Sequence, residues 1–272
     1  MRKIFLLAGC LGLTAMASPP SPTVVTVRAL DFRFDAPASV PAGTVTFRLK
    51  NDGREVHHLW IVQLKDGKKP ADFIAATKVW GSNLKMPSWA VDVGGPNSAS
   101  PGERAEGTVT LEPGTYMLVC WVPSPNGVVH VMRGMVQPLR VLARRGAAPE
   151  EPTATTNLTL DDYSFTFSKP LSAGQQIVRV ENRATTQSHE VVIARLLPGR
   201  TMLQAVLWLN GGQSGPAPVE AIGGASGLAT GRHMYLTLDL SPGTYVLLCF
   251  IPDAKTGKPH SDHGMMKEII IE

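Results

Sequence analysis

Apolar residues in this chain gather in short runs, some alternating with polar positions and some continuous, and turn residues separate the runs. "VTVRALDFRF", "GTVTFRLKN", "HHLWIVQL", "EGTVTLEPGTYMLVCWVP" and "MVQPLRVL" have the period of strands. A second set follows in the same order and ends in "MMKEIIIE". "PADFIAATKVW" and "TMLQAVLWLN" read as helices, each after a turn that carries glycine. The pattern predicts roughly seven strands and one short helical insert per half, as in an all-β protein built from two tandem Greek-key β-sandwich domains.

The halves match in order and nearly in spacing. "DFRF" at 31–34 answers "DYSF" at 162–165, Asn51 answers Asn182, and "HHLWIVQLKDG" from His57 answers "HEVVIARLLPG" from His189. Gly94-Gly95 pairs with Gly223-Gly224, and "PGTYMLVCWVP" with "PGTYVLLCFIP". The offset stays between 129 and 132 residues, which points to a duplicated domain. Residues 23–142 and 157–272 are the expected domains. The segment 143–156, "ARRGAAPEEPTATT", is polar and rich in Pro, Ala and Thr and reads as a linker.

Composition narrows the classes. With 43% apolar and 18% charged residues, 272 residues suffice for two cores. At the N-terminus, Arg2 and Lys3 precede an apolar or small stretch, Ile4 to Met16, and Ala15-Met16-Ala17 forms an A-x-A cleavage site. Residues 1–17 are therefore read as a signal peptide, and the protein as exported, periplasmic or secreted. A rival reading makes Leu7-Ala8-Gly9-Cys10 a lipoprotein box with a lipid anchor on Cys10, but the apolar stretch before Cys10 is short for it. No later apolar run is long enough to predict a membrane span. Removing Arg2 and Lys3 from 26 basic residues leaves 24 against 22 acidic ones, and no basic run stands out, so no nucleic-acid partner is expected.

Cleavage leaves Cys120 and Cys249, which hold equivalent places in the halves. If each half folds alone they lie far apart, and no disulfide between them is expected. A free thiol outside the cytoplasm needs burial or a metal. Each half also offers two imidazoles and a thioether in the same order: His57, Cys120, His130, Met135, and His189, Cys249, His260, Met265. A soft thiolate, two imidazoles and a weak axial thioether form the set that suits one-electron copper chemistry.

Over both halves, about 240 residues, the sequence resembles the cupredoxin, or blue copper, family. "NDGREVH" looks like the family's approach to its first ligand, and "PGTYMLVC" followed by His and, after four intervening residues, Met looks like its C-terminal ligand loop. The resemblance implies one type 1-like copper per domain, held by the two quartets above. It also implies that His130 and His260 are the electron exits. Nine residues separate Cys120 from His130 and ten separate Cys249 from His260, more than in small blue copper proteins. A loop of similar length occurs in copper nitrite reductases. The residue after the first ligand, often Asn in the family, is His58 or Glu190 here.

Ungapped alignment sets His57, not His58, opposite His189, and strand alternation sends the two adjacent rings to opposite faces. Multicopper oxidases and nitrite reductases need further histidines, one directly before the Cys. Val119 and Leu248 stand there, so no enzyme is expected. The expected function is electron transfer by an exported copper-binding protein with an unknown redox or copper-exchange protein partner. The alternatives are a metal-free structural or interaction module on the same fold, and a copper storage or delivery protein in which His58, Met132, His263 and Met266 assist.

Overall fold

The computed structural model describes residues 20, 23–80, 86–211 and 213–272. The signal-peptide and Cys10 readings lie outside the described residues.

The predicted runs form strands, but turns cut two of them. "VTVRALDFRF" becomes β1 (Thr23–Leu30) and β2 (Arg33–Asp35), hinged at Asp31-Phe32, with Phe32 at φ 64°. "EGTVTLEPGTYMLVCWVP" contributes to β7 (Arg104–Leu111) and β8 (Gly114–Val119), parted at Glu112-Pro113. The remaining strands of the first half are β3 (Ser39–Pro41), β4 (Gly43–Asn51), β5 (Trp60–Leu64), β6 (Ala90–Gly94) and β9 (Val136–Leu142). The second half repeats them without a counterpart of β3: β10 (Thr156–Asp161), β11 (Ser164–Phe167), β12 (Gly174–Asn182), β13 (His189–Leu196), β14 (Val219–Leu228), β15 (His233–Leu240), β16 (Gly243–Leu248) and β17 (Met266–Ile271). Helices α1 (Pro70–Trp80) and α2 (Met202–Asn210) fall where the sequence places them. Thr201 starts α2 with a reciprocal capping box to Gln204, which satisfies two otherwise free amide groups.

The fold is all-β, two β-sandwich units in tandem, and the units are continuous with one another. One sheet runs β2-β1-β4-β7-β15-β12-β10-β11 and the other β3-β9-β8-β5-β6-β14-β13-β16-β17. At the junction β7 pairs antiparallel with β15, Thr108 opposite Tyr235. In the second sheet β6 meets β14 at Val93 and Leu228, and an isolated bridge joins Pro96 and Ala225. Strand edges that would otherwise expose unpaired amides are thereby used up inside the molecule. One apolar core runs through both units, with a smaller cluster between α2 and the β13, β14 and β16 strands. The segment between β9 and β10, read as a plain linker, is tied to both halves. Arg144 donates to Ala42 O and Thr23 Oγ1, and Glu151 accepts from Thr110 and from Tyr235 OH.

The Gly-Gly pairs have a steric reason. A Cβ on Gly95 would lie 2.2 Å from Leu59 O and one on Gly224 1.9 Å from Val191 O, and both glycines sit at positive φ. At Gly227 the obstacle is the other half. An added Cβ would stand 1.9 Å from Trp60 Cζ2, while the Trp60 indole donates to Asp92 and Ser188 donates to the same carboxylate. Overpacking there should wedge the units apart. Gly227→Ala is expected to lower stability by about 1–3 kcal/mol, read as a lower urea midpoint. An unchanged midpoint would mean that the Trp60 ring moves freely aside.

Candidate metal centre

Each site is assembled by three separate devices. First, a buried asparagine shapes the loop that delivers the first histidine. Asn51 Nδ2 donates to Glu55 O and Ala99 O, both at 2.8 Å, and its Oδ1 accepts from Gly53 N. Asn182 does the same with Gln187 O, Leu228 O and Ala184 N. Second, the cysteine ends its strand against the methionine backbone: Cys120 N–H donates to Met135 O and Cys249 N–H to Met265 O, both at 3.2 Å. Third, the long loop closes on itself. His130 N–H donates to Val122 O and Val131 N–H to Cys120 O, and the second loop repeats both bonds. Bridges Pro123–Val129 and Pro252–Pro259 pinch each loop at its base, so its length adds a hairpin without moving the histidine away. A 3-10 turn, His130–Arg133 or His260–His263, then ends on Gly134 or Gly264 in the left-handed region, φ 99° and 94°. This accounts for the glycine before each methionine.

These devices bring the predicted histidines and cysteines together. His57 Nδ1 lies 3.1 Å from His130 Nδ1, and Cys120 Sγ lies 3.9 Å and 3.4 Å from them. In the second site the Nδ1 atoms of His189 and His260 are 3.0 Å apart, and Cys249 Sγ lies 4.0 Å and 3.3 Å away. All six residues, and Met135 and Met265, are fully buried. These triangles are of a size that one cation with bonds of about 2.0–2.3 Å to N and S would span. Two ring nitrogens aimed at one another and at a thiol make a weak hydrogen-bonded core, since the pair shares a single N–H and the thiol is a poor donor and acceptor. They make a ready metal site, and the two groups fit two type 1 copper sites.

Burial sets the electrostatics. It pushes the Cys120 thiol up to about 12 and the Cys249 thiol higher still. It lowers all five imidazoles of the region, His57 and His260 to about 4, with each partner ring adding to the shift. Both thiolates therefore require a bound cation, while the imidazoles are already neutral and able to ligate.

The outer ring nitrogens differ between the sites. His130 Nε2 meets Glu55 Oε2 at 2.8 Å, whereas His57 Nε2 stands 3.7 Å from Asp31 and has no hydrogen-bond partner among the described residues. In the second site His189 Nε2 meets Asp162 at 3.2 Å, and His260 Nε2 is the one without a partner. Carboxylates so placed orient a ligating ring. Sequence reasoning missed Glu55 and took "DFRF" and "DYSF" only as repeat markers. Those motifs carry both Asp31 and Asp162 and the rings that lie edge-on over the second histidines, Phe32 on His130 at 5.3 Å and Tyr163 on His260 at 5.6 Å. Phe32 and Tyr163 both hold positive φ, a costly conformation for an aromatic residue that the repeat keeps in both halves. An acidic–aromatic pair recurring at the ligand offset was the available signal.

Two expectations need restating. His130 and His260 do not reach the surface, because Phe32, Glu55 and Tyr163 cover them. His57 and His58 do diverge; they precede β5, with His57 bridged to Ala99, and the His57 ring meets His130. His58 turns to accept from Trp121 N–H at 2.8 Å. Of the other proposed helpers, His263 is bonded to Thr256, and Met132 and Met266 are exposed. Both described cysteines are unpaired.

No protein-family model matches the chain, and no curated protein matches it. Among solved structures it is similar to auracyanin A, a "blue" copper protein from the green thermophilic photosynthetic bacterium Chloroflexus aurantiacus, at 25% identity over 45% of this chain and 100% of that one, TM-score 0.32. Auracyanin from Roseiflexus castenholzii matches at 23% identity over 45% and 98%, TM-score 0.31. A Cu-containing nitrite reductase from Thermus scotoductus matches at 11% identity over 92% of this chain and 61% of that one, TM-score 0.25. What the sites can hold follows from their own donor atoms.

The neutral buried imidazoles tie stability to pH in the metal-free protein. Unfolded histidine titrates near 6.5 and folded His58 near 3, so the unfolded chain binds more protons once the pH falls below about 6.5. Stability should be full above that value and decline toward pH 4. Asp92 and Glu190, raised by burial to about 6 and about 7, act in the opposite sense, but the five imidazoles outnumber them. Urea titrations of the metal-free protein should show the decline, and His58→Gln, which keeps an acceptor for Trp121 N–H, should reduce its slope by about 1.4 kcal/mol per pH unit. A slope equal to that of the parent would mean that His58 is protonated in the fold.

Proposed function

We propose that the chain is an exported two-domain cupredoxin that carries electrons on two copper ions. Residues 23–142 and 157–272 form the domains and 143–156 joins them. One ion is held by His57, Cys120 and His130 with Met135 as the weak axial ligand, the other by His189, Cys249 and His260 with Met265. The observation that carries this reading is the doubled Nδ1–Nδ1–Sγ triangle, fully buried in each unit. Copper bound there supplies one-electron chemistry between Cu(I) and Cu(II).

The residues of the chain determine how such an ion would be used. A closed site keeps solvent from the ion and holds its ligands still, which suits electron exchange better than substrate turnover. Glu55 and Asp162 fix one ring in each site, and Asn51, Asn182 and the pinched loops fix the rest. Export rests on the charged and apolar N-terminal segment. No helix of the described residues is long and apolar enough to cross a membrane.

The purified protein loaded with copper should hold two equivalents and absorb strongly in the visible range through its thiolates. Cys120→Ser should halve both copper and colour, and Cys120→Ser with Cys249→Ser should abolish them. Met135→Leu should keep the copper and raise the potential of the first site. His57→Ala should remove that site, while His58→Ala should leave its colour nearly intact. A protein that takes up no copper would leave the metal-free module, and equal loss in the Cys120 and Met135 variants would place the axial ligand elsewhere.

A further inference from the structure

The two ligand loops meet at the joint of the halves, and a cavity of about 370 Å³, open to solvent on one side, lies between them. Trp121 and Phe250, the residues after the two cysteines, line it from opposite halves. So do the pairs that pinch the loops, Pro123 with Val129 and Pro252 with Pro259. The hairpins that the long loops add are therefore among its walls. Neither half makes the cavity alone, and its volume falls in the range of small-molecule sites, about 300–1,000 Å³.

The walls state what would fit. Trp60 joins Trp121 and Phe250 there, and flat rings of this kind favour a planar aromatic guest. The polar groups set its charge and its hydrogen bonding. Both oxygens of Glu190 are taken, one by Asn97 Nδ2 and one by Phe250 N–H, each at 3.0 Å. Asn97 Oδ1 accepts from Ser98 N–H and Oγ–H, so these acceptors are occupied within the protein. Donors are left over. His58 Nε2 accepts from Trp121 N–H at 2.8 Å, so the neutral ring carries its proton on Nδ1, and the Trp121 indole N–H has no partner among the described residues. No lysine or arginine lines the cavity to hold an anion. Such walls suit a guest that accepts hydrogen bonds and carries no charge.

We propose that the cavity binds a small, uncharged, planar aromatic molecule with a carbonyl oxygen, its ring against Trp60, Trp121 and Phe250 and its oxygen toward His58 Nδ1–H. The proposal goes beyond the copper reading and does not rest on it, because protein atoms alone form the cavity.

The test uses the metal-free full chain and coumarin, a planar aromatic lactone, titrated by calorimetry and by tryptophan fluorescence. One coumarin should bind per chain and change the fluorescence. Octahydrocoumarin keeps the carbonyl and loses the flat ring, whereas chromene keeps the ring and lacks the carbonyl oxygen. Each should bind at least about fivefold more weakly. Val129→Trp, which fills the cavity from the first loop, should abolish binding, and Phe250→Ala should weaken it about tenfold. The analogue series needs no variant and carries the test if neither variant folds. Equal affinity for octahydrocoumarin or chromene overturns the ligand class, as does tighter binding of tetramethylammonium, a cation that aromatic walls can also hold. No binding of coumarin to the native chain, or binding that survives both variants undiminished, overturns the site. Copper uptake is measured separately on the same preparation, so a failure of the metal reading and a failure of this one are told apart.

Discussion

Two imidazole nitrogens and a thiol brought together in a dry interior satisfy one another poorly unless something binds all three. At 3.0–3.1 Å between the ring nitrogens, one imidazole N–H can satisfy only one neighbour. Burial holds the thiols protonated and the rings neutral, so no ion pair forms among them. Much of the surrounding structure serves to hold this unfavourable cluster in position. Asn51 and Asn182 shape the approach, backbone bonds pinch the long loops, and Gly134 and Gly264 end the turns beneath the methionines.

The two sites share a plan but differ in the groups around them. Glu55 supports the second ring of the first site and Asp162 the first ring of the second. Phe32 covers one histidine, and Arg133 lies over its face at 4.7 Å. Tyr163 covers the other and donates its hydroxyl to Asp253. Equal donor triangles in unequal surroundings are a physical basis for two different potentials, because groups around the ligands tune a metal site.

The joint between the halves matters as much as the halves. Both sheets cross it, Trp60 fits over Gly227, and Asp92 takes bonds from both sides of the joint. A shared core and shared sheets make relative motion of the units costly compared with domains joined only by a linker. The segment from β9 to β10 adds to this through Arg144 and Glu151.

Strand and helix positions, the repeat and the two His, Cys, His groups were legible in the sequence, because apolar period, turn residues and motif order are local signals that recur at a fixed offset. His57, and not His58, stands in the first group, as its alignment with His189 sets it. Tertiary structure alone decided the rest. Whether each half keeps its own sheets or shares them depends on pairing between distant edges, such as Thr108 with Tyr235, that no local pattern records. Glu55, Phe32 and Tyr163 become covers of the sites only once loops far apart in sequence meet, and Asn97 finds an acceptor in Glu190 only because the other half supplies it. Local chemistry names the ligands, whereas contacts between segments remote in sequence determine what surrounds and connects them.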